Sequence, residues 1–267
     1  MGRIKTTFKR LHEKNRKALV TFIMAGDPDL ETAKSVLEGL PEAGADIIEI
    51  GMPFTDPAAD GVTIQRAGQR ALRAGADMRY TLNMVKEFRQ SNDHTPIILM
   101  GYVNPLYAYG LEAFTQDAKK AGVDGLIIVD LPPEEDAELR QYTQEHEIDM
   151  IRLITPTTDQ DRLSVVLDGA SGFLYYVSIT GVTGTAKANL DSLGPHIEMI
   201  KSKTDLPIAI GFGIKTPNDA QEMSSLANAV VVGSAIVDKV KDINADSQNM
   251  DDTMTLVRSL SDVLGAR

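Results

Sequence analysis

Apolar residues are distributed along this chain in two ways. Short runs rich in Val, Ile, Leu and Met are apolar throughout and too short for a surface helix, which is the pattern of strands covered on both faces. They lie near Ala18 to Met24, Asp46 to Gly51, Ile97 to Gly101, Leu126 to Val129, Met150 to Ile154, Phe173 to Val177, Ile208 to Gly211 and Ala229 to Val232. Between them, helical patterns run over Leu30 to Leu40, Val62 to Leu72, Tyr80 to Gln90, Leu111 to Lys120, Glu134 to Glu145, Asp159 to Leu167, Leu193 to Lys203 and Pro217 to Ser225. Cap signals mark several starts: Asp29 with Thr32, Thr216 before Pro217, and Pro132-Pro133 before Glu134-Glu135.

Strand and helix alternate from end to end, and no Pro/Ser-rich linker or low-complexity tract interrupts them. Ala43-Gly44-Ala45-Asp46 ahead of the second strand is echoed by Ala121-Gly122-Val123-Asp124 ahead of the fourth, as repeated βα units would give. Eight strands with crossing helices in 267 residues fit a closed barrel better than an open doubly wound sheet. The expected fold is α/β: residues 1–267 as a single (β/α)8 TIM-barrel domain with an extra N-terminal helix.

Composition narrows the partners. With 43% apolar and 24% charged residues the chain has ordinary globular material. Its 38 acidic and 27 basic side chains give a formal charge of −11, which repels nucleic acid. Cysteine is absent, which removes disulfides, thiolate metal sites and cysteine nucleophiles and suits a reducing compartment. The basic start, Met1 to Lys17, has no apolar segment behind it, and nothing approaches a membrane span. A cytoplasmic protein without membrane attachment is expected.

In a βα barrel the chemistry sits where strands end. The second strand carries Glu49 between Ile48 and Ile50, an expensive place for a charge. Alternation puts Glu49 on one face with Ile47 and Gly51; if that face is the lumen, its carboxyl points into the mouth. A structural pairing or an escape to solvent is the competing reading. The loop from Met52 to Gly61 brings Asp60 back toward Glu49, and two carboxylates in one half-buried mouth can be driven to different protonation states. Turn formation is the competing role for Asp56 and Asp60. Gly211-Phe212-Gly213 and Gly233-Ser234 end the last two strands, a usual place for a phosphate cradle of backbone N–H groups. The Gly/Thr-rich stretch from Ser178 to Lys187 has the composition of a lid that adds the Gly184 amide. Phe22, Tyr102, Tyr175 and Phe212 lie at or near strand ends, where a flat apolar group would fit.

None of His12, His94, His146 and His196 lies at a strand C-terminus, and no strand ends in lysine, so no metal site and no histidine chemistry is expected. Lys187 and Lys215, on loops, keep a Schiff-base aldolase open. A phosphosugar isomerase and a non-catalytic phosphoester-binding barrel remain alternatives on these grounds.

The run Ile48-Glu49-Ile50-Gly51-Met52-Pro53-Phe54-Thr55-Asp56-Pro57, with Asp60-Gly61 and Thr63-Ile64-Gln65, resembles the signature of the tryptophan synthase alpha chain. The resemblance continues through Met100-Gly101-Tyr102, Asn104-Pro105, Asp130 to Glu135, Gly181 to Gly184, Gly211 to Ile214 and Gly233 to Ile236. It implies a lyase of tryptophan biosynthesis that cleaves indole-3-glycerol phosphate to indole and glyceraldehyde 3-phosphate by a metal-free retro-aldol step. By the same resemblance Glu49 and Asp60 are catalytic, and Phe22, Ile64, Met100, Tyr102, Tyr175, Thr183 and Phe212 bind substrate. Gly184, Gly213, Gly233 and Ser234 bind phosphate. Pro53, Asp56 and Asn104 face a beta chain that carries pyridoxal phosphate in an alpha2beta2 heterotetramer, this chain needing no cofactor. Met100, Thr55 and Ile179 depart from common family choices of Leu, Ser and Arg.

Overall fold

The structure, a computed structural model, describes residues 2–177, 190–211, 213–243 and 247–265. After α1 (Arg3–Glu13) come β1 (Ala18–Met24) and α2 (Leu30–Ala43), then β2 (Ile47–Gly51) with α3 (Val62–Arg73) and α4 (Met78–Phe88). β3 (Ile97–Gly101) is followed by α5 (Val103–Tyr109) and α6 (Leu111–Ala121), and β4 (Gly125–Ile128) by a 3-10 turn (Pro133–Glu135) and α7 (Ala137–Glu145). β5 (Asp149–Met150) and β6 (Arg152–Ile154) precede α8 (Gln160–Leu167), and β7 (Leu174–Val177) precedes α9 (Leu190–Lys201). β8 (Ile208–Gly211) leads to α10 (Pro217–Ser224), and β9 (Ala229–Val232) to α11 (Ser234–Val240) and α12 (Ser247–Asp262).

All strand pairs are parallel, in the order β5-β4-β3-β2-β1-β9-β8-β7-β6. The two ends of that order are consecutive in the chain. What reads in sequence as one fifth strand is two pieces, the first paired to β4 and the second to β7, so the ring closes through Ile151, whose N–H donates to Leu126. The (β/α)8 expectation holds, with the fifth strand divided.

Strand alternation separates two cores. Inward positions hold Ala18, Val20, Ile47, Ile98, Ile127, Ile151, Phe173, Ala209, Ala229 and Val231. Outward positions such as Leu19, Ile48, Ile50, Leu99, Leu174, Ile210 and Val230 pack against the helices. The expected N-terminal helix closes the bottom of the lumen: Ile4 and Leu11 of α1 are buried there, and the Phe8 and Phe173 rings lie 5.8 Å apart. Burying each such side chain contributes about 1.5 to 3 kcal/mol, and together they plug the lumen from below.

The sequence echo has a physical cause. Asp46 accepts from Leu19 N–H (2.9 Å) and Arg16 (2.6 Å), and Asp124 from Ile97 N–H (2.9 Å) and Arg89 (2.8 Å). Each aspartate ties the foot of its strand to the strand before it. The preceding Gly44 and Gly122 end their helices in the left-handed conformation. Asp29 caps α2, accepting from Thr32 N–H at 2.9 Å, and Thr216 with Asp219 forms a capping box on α10.

Candidate active site

Glu49 takes the inward face of β2. It lies in register with Phe22 of β1 and Ile98 of β3, is 1% exposed, and its Oε2 has no hydrogen-bond partner. Burial raises its pKa to about 8, and the charge of Asp60 adds to the rise. At neutral pH this carboxyl keeps its proton.

Asp60 comes from the β2–α3 loop and is half-buried. Burial lifts its pKa to about 6, opposed by the Tyr102 hydroxyl, which donates to the carboxylate. Because Asp60 ionises while Glu49 is still neutral, the repulsion between them falls on Glu49. The Tyr102 oxygen also accepts from Ala59 N–H at 3.0 Å, and its ring stands 5.3 Å from that of Phe54. Tyr102 therefore holds the loop that carries Asp60.

Phe22, Met24, Ala67, Ala71, Ala76 and Val237 form an apolar cluster at the mouth, with Ile64, Tyr80 and Met100 packed against it. Tyr175 points inward from β7, its ring half-buried. Its hydroxyl sits so close to β8 that a methyl group on Gly211 would stand 2.5 Å from the oxygen. Burial and the neighbouring Glu49 push the Tyr175 pKa well above the phenol range. Val129 and Leu153 also line the lumen; alternation along their strands could have flagged them.

Gly213, Gly233 and Ser234 lie just beyond the ends of the adjacent strands β8 and β9. Gly213 has φ +55, which favours glycine, and no atom lies within 4 Å of where its Cβ would be. Gly233 precedes α11 without a side-chain cap, which leaves first-turn N–H groups available. Pro53 is half-buried, while Asp56, which accepts from the Thr55 hydroxyl at 2.6 Å, and Asn104 at the start of α5 are exposed. Thr183, Gly184, Ile179, Lys187 and Phe212, and the stretch expected to form a lid, lie outside the described residues. Among the described residues no group of three His, Cys, Asp or Glu side chains is placed to hold a metal, and no helix is long and apolar enough to cross a membrane.

A parallel βα barrel with a buried carboxyl on β2 and a second carboxyl on the loop that follows it, one held neutral and the other ionised near neutrality, defines a barrel suited to general acid–base chemistry. Residues 8–264 match the family model of the tryptophan synthase alpha chain, and the chain belongs to that family. It resembles the crystal structure of tryptophan synthase subunit alpha from Legionella pneumophila at 37% identity, over 99% of this chain and 98% of that one, with a TM-score of 0.91. It also resembles a protein of Aquifex aeolicus (36% identity, 100% of both chains, TM-score 0.90) and tryptophan synthase from M. tuberculosis (30% identity, 99% of both chains, TM-score 0.88). The family activity is a lyase reaction, cleavage of indole-3-glycerol phosphate to indole and glyceraldehyde 3-phosphate in tryptophan biosynthesis.

Proposed function

We propose that Glu49 and Asp60 divide the proton chemistry of this cleavage between them. The protonated Glu49 gives its proton to indole C3, and the positive charge that develops at the ring nitrogen is held by ionised Asp60. Glu49, now a carboxylate, takes the proton of the glycerol hydroxyl beside the bond. The C–C electron pair returns to the indole ring, a carbonyl forms on the glycerol fragment, and the glutamic acid is regenerated. The supporting observation is the pairing of a fully buried carboxyl of pKa about 8 with a neighbouring one of about 6, which gives the opposite charge states needed near neutrality.

In this reading Phe22, Ile64, Met100, Tyr102, Tyr175 and Phe212 enclose the indole. Gly213, Gly233 and Ser234, with Gly184, take the phosphate, and Thr183 orients Asp60. Residues 1–267 work as one cytoplasmic domain without a cofactor of its own. The partner is a pyridoxal-phosphate beta chain in an alpha2beta2 assembly, met by Pro53, Asp56 and Asn104; similarity to M. tuberculosis tryptophan synthase along nearly the whole chain supports this. Glu49→Gln tests the chemistry. Indole release is expected to fall by roughly 10³-fold or more, while an indole phosphate analogue still binds. Turnover within tenfold of the parent would remove Glu49 from the mechanism.

A further inference from the structure

A carboxylate carried on a loop has a fixed position only if other elements hold that loop. Gln65, in the first turn of α3, donates its side-chain amide to the Asp60 carbonyl at 2.9 Å and to the Pro57 carbonyl at 3.5 Å. Helix α3 is tied down in turn. Arg70 forks onto Asp27, Nε to Oδ1 at 2.6 Å and a terminal nitrogen to Oδ2 at 2.9 Å, and Asp27, in the β1–α2 loop, is 1% exposed. Along the same helix Ala67, Gly68 and Ala71 are buried, and the Met24 methyl lies 3.7 Å from where a Gly68 side chain would begin, so α3 seats closely on the end of β1. Asp27 and Arg70 stand outside the apolar cluster of the mouth, and Gln65 is turned to the loop backbone.

We propose that Gln65 and the Asp27–Arg70 pair are positioning residues for the Asp60 carboxylate, acting on the reaction only by fixing where α3 presents the loop of residues 52–61. The inference rests on the role given above to Asp60. A bidentate fork fixes direction as well as distance, which a single charge contact would not. Gln65 then carries that fixed point back to the backbone of Asp60 itself.

The test is steady-state cleavage by the full chain as a function of pH in Gln65→Met, in the double variant Asp27→Asn/Arg70→Gln, and in Asp60→Asn. The double variant avoids stranding one buried charge. In Gln65→Met and the double variant kcat is expected to fall about tenfold with KM changed much less, the size expected of a small misplacement. The acid limb of the profile should move to lower pH by about half a unit or more as Asp60 becomes better hydrated. Arg70→Lys, which keeps the charge without the fork, should recover part of kcat. A parental kcat and pH profile accompanied only by a lower denaturation midpoint would overturn the proposal. Should the double variant fail to fold, Gln65→Met decides alone, since it creates no buried charge. Retained turnover in Asp60→Asn would overturn the reading of Asp60, and this inference with it.

Discussion

Replacing Glu49 with Gln should separate stability from chemistry in a way that depends on pH. The carboxyl is 1% exposed, one of its oxygens has no partner, and its pKa moves from 4.5 to about 8 on folding. A folded-state pKa above the unfolded value means that the native protein binds this proton more tightly. The group's stabilising contribution is therefore complete below about pH 4.5 and is lost as pH climbs through about 8. At about 1.4 kcal/mol per unit, the parent forgoes roughly 3 kcal/mol by pH 7 and roughly 5 by pH 9. Gln cannot ionise and escapes that loss, while its buried amide leaves polar groups unsatisfied at a cost of about 1 to 3 kcal/mol. Near pH 5 the variant should thus be level with the parent or up to about 2 kcal/mol less stable, and at pH 9 about 2 to 4 kcal/mol more stable. Denaturant unfolding of both proteins at the two pH values measures the difference, and ionisations common to both cancel. A difference that does not change with pH would refute the reasoning, because it would place the carboxylate in contact with water.

Further expectations follow from the same geometry. The pH profile of kcat/KM should be bell-shaped, rising through about 6 as Asp60 ionises and falling through about 8 as Glu49 loses its proton; a profile flat from 5 to 9 would contradict the assignment. Tyr102→Phe removes the donor that lowers the Asp60 pKa, so the acid limb should shift upward and kcat/KM fall about tenfold. Gly211→Ala places a methyl against the Tyr175 hydroxyl; activity should drop while the far-ultraviolet spectrum stays parental. Asp56→Ala is expected to weaken mutual activation with a beta chain more than it lowers the thermal midpoint, and equal activation in both proteins would refute the interface role.

The sequence carries the barrel clearly because strands buried on both faces leave continuous apolar runs, and the Asp29 and Thr216 caps mark helix starts within a residue. The break at Ile151 leaves no such mark, since Met150 to Ile154 is apolar on both sides of it apart from Arg152 and the division arises only from pairing with different neighbours. Helix α5 is hidden by Pro105 and by its shortness. Helix α12 does carry a helical stripe, Met250, Met254, Val257 and Leu260, but it lies beyond the last strand, where the strand–helix alternation that marks the barrel has ended. In the site, Glu49 is legible from alternation and Phe22 and Tyr175 from their place near strand ends, whereas Met100 is marked only by the family resemblance. The contacts of Tyr102 with the Asp60 loop and of Arg70 with Asp27 each join residues 43 apart. No periodicity reports such pairs; they exist only once the barrel has brought the ends of β1, β2 and β3 and the helix α3 to one rim.

The proposed chemistry requires Glu49 to be a neutral acid at the pH where the reaction runs. Titration of its side-chain carboxyl carbon by ¹³C NMR, in the full chain with Glu49→Gln to assign the resonance, measures this directly. The midpoint should fall near 8, with Asp60 already ionised; a midpoint near 4.5, the value of a solvated glutamate, would contradict it.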